Sequence, residues 1–326
     1  GNGQKHKIIS RLRGYHGATL GALAATGNPI LRSPFSPWLP EFPHIAPCYP
    51  YRCGFAGCGG KCNLTCAHEL ERAILQTGPE NVAAFIAEPV VLAGIAAGVP
   101  PPDYFPLIRE ICDRYGILFI ADEVITGFGR TGKYFAIDHW KTVPDMIVFG
   151  KGASSGYSPL GGVILRDTIR NSFEESREPF AHVFTYTNNP VAMRAGMEVL
   201  DIIEEEGILA HAAQMGEYLL ACAERLKKHS SVGDIRGKGL ILGVELVLDR
   251  ENRTPFPASR KVSGRLKKIL WDKGLFLASG SGTVDWVNGD DVRLYPPLTI
   301  TRNEVDNIFS ILDNGFEQLE SELNVK

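Results

Sequence analysis

Short apolar runs alternate with amphipathic stretches through the middle of the chain. Ala83-Ala84-Phe85-Ile86-Ala87 reads as a strand closed by Glu88-Pro89. Leu107, Ile108, Ile111, Cys112 and Tyr115 recur at helical spacing, with Asp103 placed to cap that helix and Gly116 to end it. A strand over 117–121 is closed by Asp122-Glu123-Val124, one over 145–149 by Gly150-Lys151-Gly152, and another runs from Gly161 to Leu165. Strands that alternate with helices predict a mostly parallel sheet with right-handed crossovers. Glu88, Asp122 and Lys151 then close three of its strands. Ligands of open α/β sheets bind beyond the carboxyl ends of the strands.

From Pro190 the pattern turns helical. Ile208, Ala212, Met215, Leu219, Cys222 and Leu226 form one apolar stripe, and Lys227-Lys228-His229 suits the C-terminal end of a long helix. Beyond Ser230 a strand-like run, Leu240 to Val247, precedes a helix over Val262–Asp272, a short strand after Gly274 and a last helix from about Arg302. The expected organisation is α/β: a large domain over 1–213 with a mostly parallel sheet, and a smaller α+β domain over 214–326.

Bulk properties change this picture little. A net charge of -3 gives no reason to expect nucleic acid or an anionic membrane as partner. The longest apolar stretch, Val90 to Val99, is broken by Gly94 and Gly98 and is too short to cross a bilayer. The chain opens on Gly1-Asn2-Gly3-Gln4-Lys5, without Met or a signal pattern, and reads like the interior of a longer protein, cytoplasmic or mitochondrial.

The cysteines are uneven: five of seven lie between Cys48 and Cys66. Cys53, Cys58, Cys62 and Cys66, with His68 nearby, flank a glycine-rich loop. They fit a zinc site only loosely, and a disulfide or free thiols stay open. Cys112 and Cys222 fall on apolar helix faces and read as core.

An amine and a carboxylate at neighbouring strand ends are what pyridoxal 5'-phosphate (PLP) chemistry needs: a lysine for the Schiff base and an acid beside the pyridinium nitrogen. Taken singly, each residue has a plainer reading. Lys151 could be a solvated surface lysine, Asp122 a turn residue, Tyr15 a core-edge aromatic, Thr185 a strand residue and Arg293 a surface charge. Their ordered coincidence argues otherwise.

The motifs resemble the class III aminotransferases, PLP enzymes of fold type I that include the omega-amino acid transaminases. Arg13-Gly14-Tyr15-His16-Gly17-Ala18-Thr19 resembles the loop whose aromatic residue stacks on the pyridine ring. Asp122-Glu123-Val124-Ile125-Thr126-Gly127-Phe128-Gly129-Arg130-Thr131-Gly132 is the most distinctive segment, and Gly150-Lys151-Gly152 resembles the lysine loop. His182-Val183-Phe184-Thr185-Tyr186 resembles the segment that sends a threonine to the phosphate in the neighbouring subunit. Arg293-Leu294-Tyr295-Pro296-Pro297-Leu298 resembles the late strand that can carry a substrate-carboxylate arginine.

The resemblance implies a homodimer with shared active sites that moves an amino group between an amine or omega-amino acid and a 2-oxo acid such as pyruvate, in a ping-pong Schiff-base mechanism. PLP would be covalent on Lys151, with Asp122 at the ring nitrogen and Tyr15 and Val124 on the ring faces. His16 and Thr185 complete the cofactor-binding set, Arg293 and Glu88 are assigned to substrate, and no metal ligand is assigned. Glu123 reads as structural. A racemase, aminomutase or phospholyase on the same scaffold, or a truncated non-catalytic scaffold, stays as the alternative. Two departures stand out. The family's Ser-Gly-Ser/Thr-Glu phosphate turn, which precedes the Tyr-His-Gly loop, is not in this sequence, and Thr187-Asn188-Asn189 stands where relatives often carry Ser-Gly-His.

Overall fold

Ile8 and Ile9 belong to a strand that the sequence pattern did not reveal, β1 (Lys7–Arg11). The computed structural model describes residues 4–55, 62–176 and 180–324. Ser10 and Arg11 of β1 are fully buried, so its polarity is hidden by tertiary packing rather than by an alternating pattern. With β2 (His44–Ile45), β3 (Val82–Ala87), β4 (Leu118–Asp122), β5 (Met146–Phe149) and β6 (Gly162–Leu165), it builds one sheet in the order β2-β1-β3-β4-β5-β6. All neighbours in it run parallel except β5 and β6. The carboxyl ends of β1, β3, β4 and β5 therefore open onto the same edge, side by side.

Helices α1 (Leu20–Ala25), α2 (Pro29–Arg32), α3 (Thr65–Thr77), α4 (Tyr104–Tyr115) and α5 (Asp167–Ser176) accompany this sheet. The α4 stripe forms as its spacing predicted: Tyr104, Phe105, Ile108, Ile111 and Cys112 are buried. Phe105 stacks on Phe119 of β4 with ring centroids 5.7 Å apart. Aromatic contacts of this kind tie helix to sheet and contribute beyond their buried area. Gly116 ends α4 in the left-handed region, as expected. Asp103 stands at the N-cap, but its side chain accepts no bond. Its backbone is helical (φ -87°, ψ -2°), not extended, so the carboxylate is not turned back onto the first turn.

The later part continues through α6 (Pro190–Glu205) and α7 (Ile208–Ala223) to a second sheet. Its strands β7 (Val232–Gly237), β8 (Leu242–Leu246), β9 (Ala278–Ser281) and β10 (Asp290–Leu294) pair antiparallel in the order β7-β8-β10-β9. Helices α8 (Val262–Asp272) and α9 (Arg302–Leu323) pack with it around one apolar cluster. The stripe from Ile208 to Leu226 is buried, but the α-helix stops at Ala223 and a tight 3-10 turn, Glu224–Lys228, carries its last residue. His229 does not simply sit at a helix end. It is buried, lies 3.0 Å from Asp313, and stacks on Phe316. Thr301 and Glu304 close a reciprocal capping box at the start of α9.

The cysteines also sort out here. Cys112 and Cys222 are core residues. Cys58 lies outside the described residues, and among the described residues no group of His, Cys, Asp or Glu is arranged to hold a metal. Cys66 faces the core from the first turn of α3, and Cys48 belongs to the same apolar cluster. No described helix is long and apolar enough to cross a membrane.

Candidate active site

Parallel order places four loops in a row beyond one sheet edge. Tyr15 and His16 follow β1, Glu88 follows β3, Asp122 ends β4, and Lys151 follows β5. Together with Gly17, Val90, Leu92, Val124, Ile125 and Thr126, they line a cavity of about 190 Å³.

One wall of this cavity is rigid and buried. The Asp122 carboxylate accepts from the Val124 N–H at 3.1 Å and lies 2.8 Å from Nδ1 of His16. The His16 backbone N–H is held in turn by the Thr26 hydroxyl at 2.9 Å. Glu88 accepts from the Tyr15 N–H at 3.1 Å, which fixes the loop carrying the tyrosine ring. An added Cβ at Gly14 would stand 3.0 Å from Oε2 of Glu88, so the loop must pass this carboxylate without a side chain. Burial pushes the Glu88 carboxyl above its usual range, against the pull of His16 and Arg11.

Lys151 closes the cavity from the other side. Its backbone is left-handed, with φ 40°, a conformation a lysine adopts only where the surroundings impose it. Burial lowers its ammonium below the ordinary value, and the attraction of Asp122 and Glu88 only partly restores it. A lysine so placed is more readily neutral, as a nucleophile or proton carrier must be.

The remaining predicted residues stand elsewhere. Thr185 is exposed in a turn where the Phe184 N–H donates to the Thr187 hydroxyl at 2.8 Å, and it is not among the cavity's lining residues. Arg293 lines a different cavity, of about 640 Å³, beside Phe276 and Tyr295. Its guanidinium is engaged by Asp291 through two hydrogen bonds of 2.5 and 2.8 Å. Glu123 is structural, as expected: fully buried, it accepts from the Ile137 N–H at 2.8 Å and from the Thr126 hydroxyl. Arg130, from the most distinctive motif, donates to the Pro296 carbonyl at 2.5 Å and so ties the first sheet's loop to the second sheet.

Sequence reasoning missed Arg11. This fully buried arginine donates to the backbone carbonyl of Glu88 and lies 3.9 Å from its carboxylate. A charged residue directly after Ile8-Ile9-Ser10 was the available signal.

The profile of the class-III aminotransferases matches residues 1–316. The chain belongs to this family. Among its relatives, the putrescine–pyruvate aminotransferase of Pseudomonas aeruginosa is 37% identical over 98% of this chain and 68% of its own length. The taurine–pyruvate aminotransferase of Bilophila wadsworthia is 34% identical, over 99% of this chain and 71% of its own. The solved omega transaminase of Pseudomonas jessenii in complex with PMP superposes with a TM-score of 0.88 at 35% identity, covering 98% of this chain and 70% of that one. The aminotransferase shares the mixed α/β architecture of PLP fold type I.

Class-III aminotransferases are PLP-dependent, and the cavity fits that group. His16 Nε2 and Glu88 Oε2, on two residues that line it, are buried without hydrogen-bond partners among the described residues. Tyr15 and Val124 supply aromatic and apolar walls, Asp122 an anion and Lys151 an amine, the set that a pyridinium aldehyde calls for.

Proposed function

We propose that this aminotransferase moves an amino group between an amine or omega-amino acid and a 2-oxo acid such as pyruvate, in two half-reactions at one site. The observation that carries this reading is the gathering of Tyr15, His16, Glu88, Asp122 and Lys151 around one cavity. Bound PLP supplies a ring that accepts the electron pair released when the substrate's Cα–H bond breaks. Lys151 is the residue we assign to hold the cofactor covalently. Its Nζ, shifted toward the neutral form, takes and returns the substrate proton. Asp122 would stand beside the ring nitrogen of the bound cofactor, and His16 and the Val124 N–H hold that carboxylate still. Tyr15 and Val124 would confine its ring. Glu88 borders the substrate side, and burial, by pushing its carboxyl above the usual range, lets it hold a proton there more easily.

Arg293 is the weakest assignment: to bind a substrate carboxylate it must first leave Asp291. Thr185 we assign to the cofactor phosphate of a second subunit in a homodimer. Its exposure, with that of Val183, Phe184 and Tyr186 beside it, supports an intersubunit position. We also infer two domains. The boundary proposed at 213/214 falls inside α7, whose buried residues Ala212, Met215 and Leu219 pack with the second sheet.

The test combines purified protein, PLP, pyruvate and a panel of amines, with alanine as the product measured. Lys151→Ala is expected to lower the rate by at least about 10³-fold. No alanine from any amine, or a Lys151→Ala variant as active as the parent, sinks the reading. Elimination or Cα–H exchange without alanine transfers it to the lyase or racemase class.

A further inference from the structure

We propose that Arg13 is a positioning residue of this site: its guanidinium fastens the loop that carries Tyr15 and His16 to the hairpin between β9 and β10, so that the second sheet holds one wall of the cavity in place. The proposal rests on the reading that Tyr15 and His16 face bound PLP. Arg13 itself is not among the residues that line the cavity. It stands two residues past β1, and its backbone is left-handed, with φ 68°, a conformation uncommon outside glycine. The turn sends the Arg13 side chain to the second sheet, while Tyr15 and His16, two and three residues on, line the cavity.

The guanidinium is held on three carbonyls and a ring. Its Nη1 donates to the Gly282 carbonyl at 3.0 Å and to the Gly94 carbonyl at 3.3 Å, and its Nη2 donates to the Val284 carbonyl at 2.9 Å. Its central carbon lies over the Trp286 ring, 4.1 Å from the centroid. Arg13 is buried, so these contacts are made largely out of water, where a cation over a ring and charged hydrogen bonds gain strength. The three bonds end on carbonyls and not on a carboxylate. A single carboxylate would serve to neutralise the charge. A planar fork spread over groups from two distant segments fixes a position.

Both ends of this link are stiff. In the hairpin, the Gly282 N–H donates to the Gly289 carbonyl at 2.7 Å and the Val284 N–H to the Asn288 carbonyl at 3.1 Å. The Asp285 carboxylate accepts from the N–H groups of Val287 and Asn288 at 2.9 and 2.6 Å. On the loop side, the Arg13 N–H donates to the Gly27 carbonyl at 2.9 Å. A Cβ added at Gly94 would stand 2.2 Å from the Arg13 carbonyl oxygen, so the chain beyond β3 presses directly on the turn. From there the constraint passes to the cavity within three residues. The Tyr15 N–H donates to Glu88, and His16 lies 2.8 Å from the Asp122 carboxylate. Releasing Arg13 therefore frees the tyrosine wall and loosens the brace on Asp122 together.

The test follows two readouts in the PLP-loaded chain: amide hydrogen exchange, and loss of PLP on dilution, read from its visible absorbance. In Arg13→Gln, the Tyr15 and His16 amides, which are hydrogen-bonded to Glu88 and Thr26, should exchange at least about tenfold faster, while the amides of α4 keep the parent's rate. PLP should leave that variant at least about tenfold faster. Arg13→Lys, which keeps the charge but not the planar fork, should fall between the parent and Arg13→Gln in both readouts. Trp286→Leu, which removes the ring and leaves the three carbonyl bonds, should raise both rates about threefold. Exchange in α4 accelerated to the same degree, as a purely structural role would give, or unchanged PLP loss overturns the proposal. Trp286→Leu decides by the same two readouts if Arg13→Gln fails to fold. Neither readout involves alanine formation, so failure of the transfer reaction and failure of this proposal are told apart.

Discussion

The cavity has two unlike sides. Asp122, His16 and Glu88 form a buried wall in which each group is held by backbone or side-chain partners from a neighbouring strand end. Lys151 forms an exposed side on a strained backbone, and Thr185 stands outside the cavity in a solvent-facing turn. The contrast teaches where rigidity is needed. A carboxylate that must stay charged under a cofactor is best immobilised, because reorganising it during reaction would raise the barrier. An amine that must attach to and leave a carbonyl needs freedom to move.

The largest expected effect that would break this contrast is on catalysis. Asp122→Asn keeps the shape of the wall and removes its charge. The rate of alanine formation should fall on the order of 10²- to 10³-fold, with an unchanged far-ultraviolet spectrum. A loss below tenfold would mean that the buried wall is scaffolding and not chemistry.

The second effect is on stability against pH. Burial raises the Glu123 carboxyl from 4.5 to about 7, although the Thr126 hydroxyl and the Ile137 N–H oppose this. The folded state thus binds the proton more tightly than the unfolded chain. Stability from this group is present below pH 4.5 and is lost as pH rises through about 7, by roughly 3 kcal/mol in all. Glu123→Gln should flatten that part of the profile, seen as a smaller fall in Tm between pH 5 and pH 8. An unchanged slope would place this pH sensitivity in another group.

The smallest effect belongs to the exposed side. Thr185→Ala should leave stability within about 0.5 kcal/mol of the parent. If it serves a partner's phosphate, PLP should bind about tenfold more weakly, the worth of one hydrogen bond to a charged group. A large fall in Tm with unaltered PLP affinity would assign Thr185 to packing.

Much of the site was legible beforehand because strand ends leave marks. An apolar run that stops at Asp122, or just before Glu88 or Lys151, announces both a buried strand and the polar group beyond it. Glu123 was legible as structural for the same reason. The strand β1 was not, since only Ile8 and Ile9 mark it, and Ser10 and Arg11 are buried by neighbours far away in sequence.

The sequence by itself determined which residues could do chemistry and that they stand at strand ends, because periodicity and breaks are local properties. Only the tertiary structure decided that β1, β3, β4 and β5 lie side by side, that His16 braces Asp122, that Lys151 takes a left-handed backbone, and that Arg293 is already paired with Asp291. Those outcomes depend on strand order and on contacts between distant segments, which no local pattern of residues encodes.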